Sequence, residues 1–414
     1  MRLLFVIHQF FPQWFTGTEK FALNNIKQLL RMGHSVEVLT YGHLDFNVFQ
    51  KKDGILVRNY VYEEIPVTCI KHDNPNFDPN FEIIDCSLHN FFYRFLSDNY
   101  FDCIHVAHPM RLGNIAICAK KLGIPIVLTL TDFWVLCPKV QGITNSGDLC
   151  LSPKGGISCH INCFNHKSKD ILKTREKNMK YFLSFFDEIC SPSHFLSNIV
   201  ANHFCIPVRT IYHGIDFSST PISFKGKKEH RGEILKIGYI GTLLPHKGVH
   251  VLIDSLQYTQ EKFKLFLFGG FYEPNYLENL MQKSRNDMRV NFMGKYCEED
   301  IPAIMDAVDI TICPSIWWEN SPITILTSLA YKKPVIGNNI GGCNEFIIDN
   351  MNGIKFKIND PIDLAKVINH LCNNRDIILE MSHKMRYPRR IEEETYTYFN
   401  LYSKLKKMRV FINV

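Results

Sequence analysis

Two runs in the second half of the chain place chemistry-bearing residues directly after short apolar stretches. The first is Pro314-Ser-Ile-Trp-Trp-Glu-Asn-Ser-Pro322, which follows the strand-like Ile310–Cys313 and leads into an apolar helical pattern. Ser321 suits an N-cap, and Pro322 suits the first helical position, where its missing N–H costs nothing. A helix opening at the C-terminal end of a parallel strand aims free backbone N–H groups and its positive dipole end at one point. That is a phosphate site. Glu319 stands just before this start, where an acid can face a bound sugar, and Asn320 and Ile323 flank the same turn. The competing reading is a plain strand–loop–helix connection with one surface Glu.

The second run, Ile237-Gly-Tyr-Ile-Gly-Thr-Leu-Leu-Pro-His-Lys-Gly248, reads as strand, glycine turn and helix. Gly241 lets backbone approach a ligand, and Lys247 sets a positive charge beside it. A third element, Thr16-Gly17-Thr18-Glu19, puts a glycine at the start of the first helix, suited to close approach at an inter-domain cleft. Four of the fourteen cysteines gather in one loop-like stretch as Cys137-x12-Cys150-x8-Cys159-x3-Cys163. So long and poorly packed a loop needs a staple, and four thiolates around a structural Zn²⁺ supply one, with His160 and His166 as substitute ligands. The spacing is not that of a paired Cys-x2-Cys finger, and four unliganded thiols on a flap are the alternative.

The elements that must position these residues alternate between short strands and amphipathic helices, the pattern of α/β proteins with parallel sheets. Strands are expected at Leu3–Ile7, Val36–Leu39, Cys103–Val106, Ile126–Leu130, Glu188–Cys190 and Thr210–Tyr212. A second series runs through Ile237–Ile240, Leu265–Phe268, Val290–Met293, Ile310–Cys313 and Val335–Gly337. The first helix starts near Thr18, carries Ala22, Ile26, Leu29 and Leu30 as its apolar stripe, and ends at Gly33. The hydrophilic Lys225–Arg231 stretch reads as a linker or an early surface loop. A length of 414 residues fits two domains at roughly 150 residues each, with an appendage. The boundaries are set at 1–205, with the Cys-rich insertion at 137–166, then 206–388, then a final helical segment at 389–414.

Composition excludes other classes. Hydrophobic residues at 46% and charged residues at 21% are those of a globular chain, not a disordered one. A net charge of +6 without a Lys/Arg block argues against nucleic acid as a partner. No apolar run approaches the roughly 18 residues that span a bilayer, and His8 with Gln9 and Gln13 interrupts the N-terminus as a signal sequence. A cytoplasmic protein is expected.

These motifs together resemble the retaining nucleotide-sugar glycosyltransferases of family four. The resemblance runs in order through Phe11-Pro12 to Thr16-Gly17-Thr18-Glu19, His105-Val-Ala-His108, Leu128-Thr-Leu-Thr-Asp132-Phe-Trp134, His213-Gly-Ile-Asp216, Gly241 to Gly248, and Pro314-Ser315 to Glu319-Asn-Ser-Pro322. Gly341-Gly342, Glu345 and Asn352-Gly353 complete it. It implies the GT-B architecture, two facing Rossmann-like domains with parallel sheets and a cleft between them. The first domain would take the acceptor, the second would take the nucleotide-sugar donor, and the C-terminal helix would pack back on the first.

The implied reaction moves a sugar from a nucleoside diphosphate sugar to a hydroxyl with retention at the anomeric carbon. The acceptor would be a glycan or a lipid-linked molecule. Lys247 and the helix start at Ser321–Ile323 would stabilise the leaving diphosphate, and Glu319 would hold sugar hydroxyls. No divalent metal or other catalytic cofactor is implied. His108 and Asp132 are candidates to touch acceptor or sugar, although a histidine after a strand also serves structure. Similar four-cysteine insertions after Asp-Phe-Trp-x-x-Cys-Pro occur in a subset of the family. Peripheral contact with the inner membrane face is a further implication, through Lys404, Lys406, Lys407 and Arg409.

Three departures bear on activity. Thr327 stands where the family's second carboxylate binds the donor ribose, Thr242 where an Arg often joins Lys on the pyrophosphate, and Thr131 where a His precedes Asp132. Replacing a charge-assisted hydrogen bond at 327 would cost ~1.5–3 kcal/mol of donor binding. A weakened homologue acting as a partner or binding subunit is therefore the alternative to an active transferase. A GT-B epimerase or phosphorylase is disfavoured by the motif order.

Overall fold

The computed structural model describes residues 1–42, 49–52, 54–73, 78–150, 152–217 and 234–412. The stretch Lys225–Arg231 lies outside them. The chain divides into two compact units, one of Met1–His213 with the segment from Ile391, the other of Gly214–Arg390.

The first unit holds a nine-stranded sheet. Its strands are β1 Arg2–Ile7, β2 Ser35–Tyr41, β3 Gln50–Lys52, β4 Ile55–Tyr62, β5 Ile65–His72, β6 Cys103–Val106, β7 Ile126–Thr129, β8 Glu188–Ser191 and β9 Arg209–Thr210. The order is β3-β4-β5-β2-β1-β6-β7-β8-β9, parallel throughout except for the pairings of β4 with β3 and β5. The helices are α1 Gly17–Arg31, α2 His89–Asp98, α3 Asn114–Lys121, α4 Ile157–Asn162, α5 Lys169–Leu183 and α6 His194–Phe204. β1 is almost wholly buried because helices cover both faces of a parallel sheet, which explains its unbroken apolar run. The α1 start is built by a capping box in which Glu19 accepts from the Thr16 N–H at 2.7 Å and its hydroxyl at 2.6 Å.

The C-terminal helix, Ile391–Ile412, packs on α1 and β6. Tyr398 and Tyr402 are fully buried, and their hydroxyls meet Thr129 and His105. Thr395 bonds Asn25 at 2.9 Å, and Glu394 meets His213 at 3.0 Å. Burial holds the His105 ring neutral, its pKa pushed down to about 3. The boundary expected at 206 therefore moves to Gly214, because β9 hydrogen-bonds to β8 and His213 is tied to the returning helix. Lys406, expected on a basic face, is paired with Asp102 at 2.6 Å, so part of that charge serves packing.

The second unit contains β10 Leu235–Ile240, β11 Phe263–Phe268, β12 Val290–Gly294, β13 Ile310–Cys313, β14 Val335–Asn338 and β15 Gly353–Phe356. They form one parallel sheet ordered β12-β11-β10-β13-β14-β15. This is the doubly wound dinucleotide-fold order, and its topological switch point lies between β10 and β13. The helices are α7 Val249–Ser255, α8 Pro274–Ser284, α9 Ile301–Ala307, α10 Ile323–Ala330, α11 Gly341–Phe346, α12 Pro361–Asn373 and α13 Asp376–Lys384. Buried Ile237, Leu252, Leu265, Ile310 and Leu364 form the core on one side of this sheet. Met305, Val308, Leu326 and Ala330 close another cluster. Each sheet is thus an α/β layer of the kind expected.

Candidate active site

In an open parallel sheet, ligands bind outside the carboxyl ends of the strands at the switch point. In the second unit those ends are the segments after β10 and β13, and they are the two runs singled out by their residues. The segment after β10 passes Gly241 and Thr242, makes a 3₁₀ turn at Pro245–Lys247, and enters α7 through Gly248. Gly248 has a φ of +70°, and a Cβ there would lie 2.1 Å from the Pro314 carbonyl. Only glycine lets the two segments touch at that point. The second close approach is at Gly342, where a Cβ would stand 1.9 Å from the Asn320 carbonyl while the Gly342 N–H donates to Glu319 O. Asn338, from the end of β14, donates to the Ser315 carbonyl.

These backbone contacts bring the charged groups together. The Lys247 ammonium donates to Glu319 Oε1 at 2.8 Å. The same oxygen accepts from the Ser315 hydroxyl at 2.7 Å and the Trp317 indole N–H at 2.8 Å. The Trp317 ring also lies beneath the ammonium, with Nζ 4.7 Å from its centroid, and meets the His246 ring edge to face. Burial pushes the Glu319 carboxyl up, but the Lys247 charge and the three donors outweigh it and hold the group below its ordinary value. Burial likewise opposes the charge on Lys247, and Glu319 more than restores it. His246 is pushed down to about 4 by burial and by the neighbouring Lys247 charge, so it is neutral near pH 7.

Lys247 and Glu319 thus meet directly, whereas their residue types had suggested separate duties toward phosphate and sugar. Gly241 and Thr242 sit on the same segment, Thr242 accepting a 2.7 Å hydrogen bond from the buried Tyr239 hydroxyl at its carbonyl. Asn320 is buried, and Ile323 opens α10. Ser321 is not the N-cap. Pro322 holds that place with an extended ψ of 106°, its carbonyl accepting from the Ile325 and Leu326 N–H groups, and the helix starts one residue later than expected. Thr327 lies half-buried within α10. Ser315, Trp317 and His246 were not assigned roles from sequence. The signal available was nearness in sequence: Ser315 and Trp317 lie within four residues of Glu319, and His246 adjoins Lys247.

In the first unit, the His108 Nε2 meets Asp132 Oδ2 at 2.9 Å, and the Met110 N–H donates to Nδ1 at 3.3 Å. That acceptor role leaves the proton on Nε2, directed at the carboxylate. The Asp132 second oxygen accepts from the Trp134 N–H, and His108 packs on the His8 ring. Gly17 opens α1 at an exposed position. Strands β1 and β6, whose ends carry His8 and His108, flank the corresponding switch point of this sheet.

The four cysteines share one neighbourhood. Cys159 is buried, its thiol pushed up to about 12 by burial first and then by Cys137, Cys150 and Cys163. Arg175, buried beside Cys137 and Cys159, donates to the Asn80 and Trp134 carbonyls. The soft donor set suits zinc, but among the described residues no group of three or more His, Cys, Asp or Glu side chains is arranged to hold a metal ion. Nor is any described helix long and apolar enough to cross a membrane.

Comparison with known proteins bears on the family and the fold. The profile of Glycosyltransferase Family 4 matches residues 15–219, and that of Glycosyl transferases group 1 matches residues 222–390. An uncharacterized glycosyltransferase of Methanocaldococcus jannaschii is 27% identical over 221 residues, 53% of this chain and 60% of that one. The D-rhamnosyltransferase WbpZ of Pseudomonas aeruginosa is 28% identical over 44% of this chain and 48% of its own length. The chain therefore spans about half the length of the curated relatives it matches. Anabaena HepE, solved with UDP and glucose, superposes with a TM-score of 0.69 at 20% identity, covering 98% of this chain and 100% of that one. The catalytic domain of Starch Synthase IV from Arabidopsis thaliana, bound to ADP and acarbose, gives 0.65 at 18% identity, covering 98% and 99%. The chain carries a Glycosyltransferase Family 4 domain followed by a Glycosyl transferases group 1 domain, and its fold is that of the GT-B glycosyltransferases.

Proposed function

We propose that this protein transfers a glycosyl group from a nucleoside diphosphate sugar to a hydroxyl of a glycan or lipid-linked acceptor, with retention at the anomeric carbon, in polysaccharide or glycoconjugate synthesis. The observation that carries the reading is the Lys247–Glu319 pair at the switch point of a doubly wound sheet. Departure of a diphosphate from the sugar leaves negative charge on the phosphates and an oxocarbenium-like ring, and both need stabilising. Lys247 and the backbone N–H groups opening α10 would take the phosphate charge, and Glu319 would accept from sugar hydroxyls. Donor entry then exchanges the ammonium's partner from carboxylate to phosphate, which frees Glu319 Oε1 for a ligand. His108 and Asp132 are proposed to contact acceptor or sugar. Support for the transferase reading over a binding subunit comes from the intact Lys247–Glu319 pair and from relatives named as transferases.

The test is a turnover screen with UDP-, GDP- and ADP-sugars, followed by NMR of the product's anomeric proton. A released nucleoside diphosphate and an anomer matching the donor are expected. Binding without turnover of any donor, or an inverted anomer, refutes the corresponding half of the proposal.

A further inference from the structure

Glu319 Oε1 accepts three hydrogen bonds, more than a carboxylate oxygen needs merely to be satisfied in a folded interior. One of the donors does double duty. The Trp317 indole N–H reaches Oε1 at 2.8 Å, while the face of the same ring supports the Lys247 ammonium at 4.7 Å. A single rigid side chain therefore touches both members of the ion pair through different parts of its electron distribution, the positive N–H edge on the anion and the negative face on the cation. The ring is itself held. His246 packs edge to face against it with centroids 4.8 Å apart, and the Ile316 N–H next to it donates to the His246 carbonyl at 3.0 Å. His246 is neutral, so the ring's face is not shared with a second cation.

From this geometry we propose that Trp317 is a positioning residue, holding Glu319 by its N–H and Lys247 by its ring so that both keep their places when a bound diphosphate draws the ammonium from the carboxylate. This rests on the donor-site reading above. The physical point is that an ion pair alone cannot meet that need. Once Lys247 turns to phosphate, Glu319 would lose its strongest partner and, being buried, would relax or take up a proton. The indole N–H and the Ser315 hydroxyl, neither of which follows the ammonium, keep the carboxylate charged and aimed. The ring face in turn keeps the ammonium within reach of both partners without adding a competing charge.

Trp317→Phe keeps a ring face and removes the N–H, while Trp317→Leu removes both. With UDP-glucose, GDP-mannose and ADP-glucose tried as donors, Trp317→Phe should lower kcat about tenfold or more and leave donor KM within about threefold, because the hydrogen bond to a charged group is lost and the cation's support is not. Trp317→Leu should lower kcat as far and also raise donor KM. Ser315→Ala, combined with Trp317→Phe, should cost more than the product of the single effects, since each donor backs up the other on one oxygen. A structural role alone would lower thermal stability and the active fraction of all variants without separating kcat from KM. Equal losses in Trp317→Phe and Trp317→Leu with no KM difference, or wild-type turnover in Trp317→Phe, overturn the proposal. If Trp317→Phe fails to unfold cooperatively, Trp317→His, a ring that keeps an N–H, decides: a kcat nearer wild type than that of Trp317→Leu supports the proposal, and a loss equal to that of Trp317→Leu overturns it. Glu319→Ala is the control for the underlying reading, because full activity there removes the donor site itself and not merely the role of Trp317.

Discussion

Replacing Lys247 with methionine removes the charge and keeps most of the side-chain volume, which isolates the electrostatic part of the site. Glu319 would keep Ser315 and Trp317 as donors but would stay buried without its cation. Removing one partner of a buried pair costs about 3–5 kcal/mol. The lower end applies here, because the Lys247 side chain is 27% exposed and two donors remain, so about 3 kcal/mol is expected. For a unit of this size that corresponds to a fall in Tm of roughly 6–12 °C at neutral pH.

The sign of the pH dependence follows from Glu319. In the wild type its folded pKa is depressed, so it contributes stability above its unfolded value, lost as pH falls through the folded value. In Lys247→Met burial has no cation to oppose it, and the folded pKa rises above the unfolded one. The variant's deficit should then be largest near pH 7.5 and shrink toward pH 5 as Glu319 protonates. Calorimetric unfolding of both proteins at several pH values reads this directly, and donor turnover should fall at least about 100-fold in parallel. A Tm unchanged at neutral pH, or a deficit that grows in acid, would refute the reasoning.

Two further outcomes are expected. Thr327→Glu, which puts a carboxylate at the half-buried position 327 of α10, should tighten UDP, GDP or ADP binding by about tenfold in calorimetric titration, and unchanged or weaker affinity for all three would refute a ribose contact at this position. The proposal that Cys137, Cys150, Cys159 and Cys163 take a structural Zn²⁺ predicts about one zinc per chain in untagged protein, with a chelator loosening the 137–166 segment before nucleotide binding is affected. Absence of metal with four freely reactive thiols would refute it.

The positions of most parallel strands in both sheets were legible because a parallel strand covered on both faces must be apolar throughout. Cys103–Val106 and Ile310–Cys313 have the expected bounds for that reason. The β3-β4-β5 hairpins were not legible. β4 is half-exposed with Arg58 and Asn59 inside it, and its turn into β5 is made by Glu63 and Glu64, both left-handed, where such turns ordinarily announce themselves with Asn-Gly. β15 was missed because Gly353-Ile-Lys-Phe356 is only partly buried and its Gly and Lys interrupt the apolar run that marks the other parallel strands.

The candidate site divides in the same way. Residue type and local spacing were enough to single out Gly241, Lys247, Glu319 and the helix start after them, since strand–turn–helix chemistry is written in contiguous residues. That Lys247 and Glu319 pair with each other, that Trp317 serves both, and that Gly248 must lack a Cβ to pass the Pro314 carbonyl depend on β10 lying beside β13. That adjacency joins residues some 70 positions apart, such as Lys247 and Glu319. No local propensity encodes it. It comes from the crossover that makes this sheet doubly wound, so sequence alone determined which groups were available, and tertiary structure decided which of them touch.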